Sequence, residues 1–265
     1  VGKEIVKVRS LFEILPAKLK KFRETVVFVH HYGGNRGSSR KHVEWLNDLG
    51  YDCVTFDLPM RDISDWSELP ISKNWRFGTR HIWADKIENV LSHIPHEKII
   101  FSFSYASAAA LDAITRRNAI DIKAWVCDGG PFKHLEVGFH NLIKNEMFIN
   151  KPWRLLRSKF FKETMKKPLG SFFTWLSGGN NYDKEVDNML SRLPKKFPIF
   201  SVRYESDRLI SLNMIEDFFK FHLNHISLEI YQLKNAAHLL GIFEEPDEYK
   251  SRIQIFLQKN SKTLH

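Results

Sequence analysis

Cysteine is scarce in this chain of 265 residues, and the two present, Cys53 and Cys127, each sit inside a strand-like apolar run, "YDCVTFDL" and "AWVCDGG". Two cysteines so placed argue against a disulfide framework and predict buried free thiols in a reducing, cytoplasmic compartment. Long apolar runs are missing as well. None approaches the ~18 residues that a membrane-crossing helix needs, so no transmembrane segment is expected. The opening "VGKEIVKVRS" has neither an apolar stretch of the signal-peptide kind nor an initiator Met, which leaves processing of the start open. The closing "SKTLH" carries no lipidation box. Glycine-rich phosphate loops, zinc-ligand spacings, internal repeats and low-complexity tracts are also lacking, so no cofactor is expected.

What is present suits a globular protein: hydrophobic residues make up 43% and charged residues 27%, which excludes a disordered chain. The length fits one α/β domain with an insertion. Apolar, β-branched runs recur at 25–30, 52–58, 98–103, 122–128, 197–204 and 226–233. Helix-like segments fall between most of them, at 40–49, 79–94, 105–117 and 211–223, and "PDEYKSRIQIFL" follows the last run with Pro246 suited to a first helical turn. Such alternation predicts a mostly parallel sheet covered by helices on both faces. The opening "KEIVKVRSLFEIL" reads as one or two edge strands. One interval breaks the rhythm: residues 131–196 separate two strand candidates by far more than a crossover helix requires, so they read as an insertion.

In a sheet of this kind reactive groups collect beyond the carboxyl ends of the strands. "HHYGGNR" follows the first run, Ser104 follows "IIFSF", Asp207 follows "FSVRYES" and His238 follows "IYQLKNAA". A nucleophile, an acid and a histidine thus appear in the order Ser, Asp, His. Within "KIIFSFSYASAAALDAI" the residues change from strand formers to helix formers at Ser104, and Ser102 and Ala106 keep the positions two residues either side small. A helix-capping serine is the plainer reading of that stretch alone.

Four segments together resemble the α/β-hydrolase family, in its esterase, lipase and serine aminopeptidase-like branches, over residues 25–258. "VVFVHHYGG" looks like the strand and oxyanion turn, "FSFSYAS" the nucleophile elbow, "YESDRLIS" the acid loop and "NAAHLLGIFEEPDEYKSRIQIFL" the histidine loop with its final helix. The chain departs from the family where glycines give way to His31, Ser102, Ala106, Tyr204 and Ala237. At His31 the departure predicts a backbone angle costly for a residue with a Cβ. The resemblance implies an α/β-hydrolase fold, with residues 1–130 and 197–265 as core and 131–196 as a helical lid. It also implies a serine hydrolase acting on a carboxylic ester or thioester with an apolar acyl group. Ser104 would be nucleophile, His238 general base and Asp207 its orienting acid, with the backbone N–H groups of Tyr32 and Tyr105 as oxyanion donors. Glu205 and Asp128 are the alternative acids, and His30 reads as a structural residue behind the turn.

Formal charge is +9, and residues 131–196 hold 13 Lys or Arg against 6 Asp or Glu, so the excess sits mainly there. "KPWRLLRSKFFKETMKK" (151–167) interleaves basic and large apolar residues at near-helical spacing. On the lid that the resemblance implies, Trp153 and Phe161 are expected, with His31 from the early turn, to contact the substrate, and the basic residues add an anionic lipid surface as a partner. A solvated lid exterior explains the same charges. A non-catalytic hydrolase-like binder of lipid or an anionic partner is the rival reading, and nucleic acid is not expected, since no nucleic-acid motif accompanies the charge. The pairs His93/His96 and His222/His225 have helix spacing but no acidic or cysteine cluster beside them, so they are not read as metal ligands.

Overall fold

The structure is a computed structural model that describes residues 11–59, 73, 76, 78–142, 175 and 181–264. Among the described residues seven strands form one sheet: β1 (Glu13–Leu15), β2 (Thr25–Val29), β3 (Asp52–Thr55), β4 (Lys98–Phe103), β5 (Ile122–Asp128), β6 (Pro198–Tyr204) and β7 (Ser227–Leu233). Their spatial order is β1-β3-β2-β4-β5-β6-β7, with β1 antiparallel at one edge and every other pairing parallel. The apolar runs read from sequence each became a strand. The run at 52–58 pairs only as far as Thr55, and its last residues continue toward the site as irregular backbone.

The helices are α1 (Arg40–Leu49), α2 (Thr79–Ser92), α3 (Ala106–Arg116), α4 (Leu135–Leu142), α5 (Tyr182–Arg192), α6 (Leu212–Phe219), the short α7 (Gly241–Glu244) and α8 (Pro246–Lys259). Side chains alternate across a strand, and β2 uses that period: Val27 and Val29 join a core with α2, α3, α5 and α6, while Val26 and Phe28 join one with α1 and α8. Every residue of β2 and β4 is buried, as expected of central parallel strands covered on both faces. Helix α3 carries alanine at 106, 108, 109, 110 and 113, all fully buried, so it can lie close against the sheet. That contact fixes the direction in which the chain leaves β4, and hence where Ser104 stands.

Within 131–196 the structure describes α4 and α5. Tyr182, Val186, Met189 and Leu190 of α5 are buried in the same core as α2 and α3. The basic stretch 151–167, with Trp153 and Phe161, lies outside the described residues. Among the described residues no helix is long and apolar enough to cross a membrane.

Candidate active site

Ser104 follows β4 directly and precedes α3, and its backbone takes φ 52°, a left-handed value uncommon outside glycine. The turn is held from three sides. The Ser104 N–H donates to the Asp128 carbonyl at 2.8 Å, and the Ser104 carbonyl accepts from the Ser107 N–H at 3.0 Å. On the third side Gly130 approaches so closely that a Cβ there would lie 2.3 Å from the Ser104 carbonyl oxygen, which no side chain permits. Ser102, two residues earlier, points into the core: its hydroxyl accepts from Trp125 Nε1 at 2.7 Å and donates to Ser107 Oγ at 3.0 Å.

The loop after β7 brings His238 to this turn. Ser104 Oγ lies 2.9 Å from His238 Nε2, and His238 Nδ1 lies 2.5 Å from Asp207 Oδ2. Asp207 sits in the loop after β6, and its other oxygen accepts from the N–H groups of Leu209 at 2.8 Å and Ile210 at 2.9 Å. These bonds aim Oδ2 at the imidazole. A carboxylate there selects the tautomer with Nδ1–H donating to Asp207 and the Nε2 lone pair accepting from Ser104. Glu205, one of the alternative acids, is exposed and accepts from Gln232 instead.

Asp128, the other alternative, closes β5 and is 1% exposed. It accepts from the Tyr204 hydroxyl on Oδ1 and the Tyr249 hydroxyl on Oδ2, each at 2.6 Å, and makes no hydrogen bond to His238. Burial pushes its carboxyl up to about 6, opposed by the two hydroxyl donors.

At the early turn, His30 Nδ1 donates to the His31 carbonyl at 2.8 Å and Nε2 accepts from the Leu58 N–H at 2.9 Å, so it fastens β2 to the segment after β3 as a structural residue. The strain expected at His31 does not arise. The left-handed angle of this turn falls on Gly33 at φ 78°, and His31 has no positive φ. His31 and Tyr32 line a cavity of about 600 Å³ that also takes in Ser104, Tyr105 and His238, a size that suits a small-molecule site. Burial, reinforced by the neighbouring imidazoles of His30 and His238, pulls the His31 imidazole below its ordinary value and favours its neutral form.

Much of the cavity wall is apolar: Phe132, Phe139, Leu142, Leu209 and Ile210 line it. These residues, with His42 from α1 and Phe243 from α7, were not singled out by sequence. Phe132, Leu209 and Ile210 lie in loops after strands, a place any loop residue shares, and Phe139, Leu142, His42 and Phe243 lie on helices, where no local pattern marks them. Among the described residues no cluster of His, Cys, Asp and Glu suits a metal ion; His222 meets Asp187 and His225 meets the Leu193 carbonyl. Cys53 and Cys127 are free and buried, and burial raises both thiols well above their ordinary range, so neither is a nucleophile at neutral pH.

Neither a protein-family model nor a curated protein sequence matches this chain. Solved structures do. The esterase PF2001 of Pyrococcus furiosus superposes with a TM-score of 0.64 at 18% identity, covering 98% of this chain and 95% of that one. The monoacylglycerol lipase of Paleococcus ferrophilus gives 0.62 at 17%, over 94% and 99%. MenH from S. aureus gives 0.60 at 16%, over 94% and 98%. The chain has the α/β-hydrolase fold, as its sequence resemblance implied.

Proposed function

We propose that this α/β-hydrolase-fold protein is a serine hydrolase that cleaves a carboxylic ester or thioester with an apolar acyl group. The observation that carries the reading is the continuous hydrogen-bonded row from Ser104 Oγ through His238 to Asp207, with each distance at or below 2.9 Å. The esterase and lipase names among the structural neighbours support it at the level of reaction class.

Ser104 Oγ attacks the substrate carbonyl carbon while its proton passes to His238 Nε2, leaving an imidazolium whose Nδ1–H faces Asp207. The oxyanion that forms is held by the backbone N–H groups of Tyr32 and Tyr105, in the role the family resemblance implies for them. His238 then gives its proton to the departing alkoxide or thiolate, and an acyl-serine remains. Water attacks the acyl carbon, its proton again taken by His238, and Ser104 regains its proton as the acid leaves. The wall of Phe132, Phe139, Leu209 and Ile210 accepts an acyl chain by removing its apolar surface from water, worth about 0.8 kcal/mol per buried CH₂. That is the basis for an apolar acyl group.

The test is covalent. A fluorophosphonate probe should label the protein at Ser104, found by peptide mass spectrometry, and Ser104→Ala should lose both label and hydrolysis of short p-nitrophenyl esters. Ser102→Ala should retain both, because its hydroxyl is bonded into the core. A folded wild-type protein that takes no label would instead support the non-catalytic binder.

A further inference from the structure

Asp128 is linked to both reacting side chains, touching the nucleophile's turn with its backbone and the tyrosines packed by the histidine loop with its side chain. Its carbonyl takes the Ser104 N–H at 2.8 Å. The next residue, Gly129 at φ 63°, passes against His238, so that a Cβ there would lie 2.8 Å from Cε1 and 3.2 Å from Nδ1. Gly130 then presses on the Ser104 carbonyl as described. The strip 128–130 therefore sets the distance between the nucleophile turn and the imidazole from underneath.

The side chain reaches the histidine loop by a second route. The Tyr204 ring stands edge-on to the His238 imidazole, with centroids 6.3 Å apart at 62°. The Tyr249 ring and the Tyr204 hydroxyl lie under Gly241, where a Cβ would meet them at 2.7 Å and 3.2 Å. Asp128 ties both rings by their hydroxyls, at 2.6 Å each. Because Tyr249 spends its one proton on Asp128, its oxygen accepts from His42 Nε2–H at 2.9 Å. One carboxylate thus joins β5, β6, α1 and α8 beneath the loop that carries His238.

We propose that Asp128 is a positioning residue of this site: through the Gly129–Gly130 strip and the Tyr204–Tyr249 pair it fixes Ser104 against His238, and its buried negative charge favours the imidazolium formed when His238 takes the serine proton. The proposal rests on the serine-hydrolase reading. A purely structural role explains the site poorly, because a buried carboxylate with neutral partners destabilises a fold relative to well-packed apolar side chains. The groups facing Asp128 are Tyr204 from β6, Tyr249 from α8, His42 beyond Tyr249 from α1, and His238 and Asp207 from the loops after β7 and β6. His42 is held neutral, pulled down to about 3 by complete burial with a smaller push from Lys250. The positive charge on His238 therefore acts on Asp128, while Asp207 opposes its ionisation. Around His238 itself stand Asp207 at Nδ1, Ser104 at Nε2, the neutral His31 and the edge of Tyr204.

Asp128→Asn keeps the shape and removes the charge. The expected result is a kcat lower by about tenfold with KM little changed, as for an interaction that strengthens in the transition state. Removing an anion lowers the pKa of a nearby imidazolium, so the acid limb of kcat/KM should move to lower pH by roughly half a unit to one unit. The His238 ring titration, followed by NMR, should move with it. Tyr204→Phe removes one of the two donors that keep Asp128 ionised and should shift both in the same direction by less. The proposal is overturned if folded Asp128→Asn leaves the acid limb and the His238 titration within about 0.2 units of wild type. Should that variant not fold, an unchanged titration in Tyr204→Phe overturns it. The NMR measurement needs no turnover, so it is separable from failure of the hydrolase reading, which appears as a wild type that takes no fluorophosphonate label.

Discussion

Two buried aspartates on opposite faces of the sheet have been given contrasting partners. Asp112, on α3, accepts from Arg116 Nε at 3.0 Å and Nη2 at 3.1 Å and from His81 Nδ1 at 2.9 Å, and Arg116 also holds Asp85. Arg80, fully buried, donates to His81 Nε2 at 3.1 Å and to Glu185, linking α2, α3 and α5. Burial works against the Asp112 anion, but the His81 hydrogen bond and the Arg116 charge outweigh it and hold the carboxyl at about 2. Asp128, on the α1 and α8 side, receives only hydroxyl donors and stays near 6. Burial is similar, so the partners' charge decides. A fully countered carboxylate fastens helices together. One left without a nearby fixed cation is useful where a positive charge must appear and vanish, as on His238.

The largest difference is expected between the helix-fastening Asp112 and the acid at the imidazole, Asp207. Asp207→Asn should lower kcat by roughly 10⁴-fold while the melting temperature hardly moves, because it leaves His238 in the wrong tautomer. Asp112→Asn should do the reverse: kcat within about twofold, and a loss of about 2 kcal/mol in denaturant unfolding, because Arg116, largely buried, loses the carboxylate that it holds at two points and keeps only Asp85 and Glu88. A large activity loss in folded Asp112→Asn would mean that the two faces are not separable.

Next in size is the pH dependence of stability, where the two carboxylates carry opposite signs. Asp112 has a folded value below its ordinary 3.8, so its contribution is present above about pH 4 and is lost as pH falls toward 2, about 2 kcal/mol at 1.36 kcal/mol per unit. Asp128 has a folded value above 3.8, so the folded state holds a proton that the unfolded chain has released. Stability therefore declines as pH rises from about 4 through about 6. Urea unfolding at intervals between pH 4 and 7 should show that decline in wild type and a flatter profile in Asp128→Asn. Identical profiles would refute the assignment. The smallest effect belongs to Glu205→Gln, whose carboxylate is exposed and bonded to Gln232. Activity should stay within about twofold and stability within about 0.5 kcal/mol, and a larger activity loss would move the orienting acid from Asp207 to its neighbour.

The sequence by itself determined the sheet and its helices, since strand-forming runs and helical segments alternate locally and each side chain's burial follows from the period of its own element. It also determined that Ser104, Asp207 and His238 fall beyond strand ends in that order. The resemblance of "YESDRLIS" to an acid loop already favoured Asp207 over Glu205 and Asp128. All three stand at or just beyond strand ends, and the tertiary structure decided between them through the path of the loop after β6 and the two backbone donors that turn Asp207 Oδ2 toward His238. It decided as well that the left-handed residue of the early turn is Gly33 and not His31, because a turn distributes its angles only once both of its ends are anchored. The Asp128 cluster left no trace in any local pattern. Its tyrosines lie 76 and 121 residues away in sequence, and strand register and helix packing are what bring hydroxyls so distant in the chain to one carboxylate.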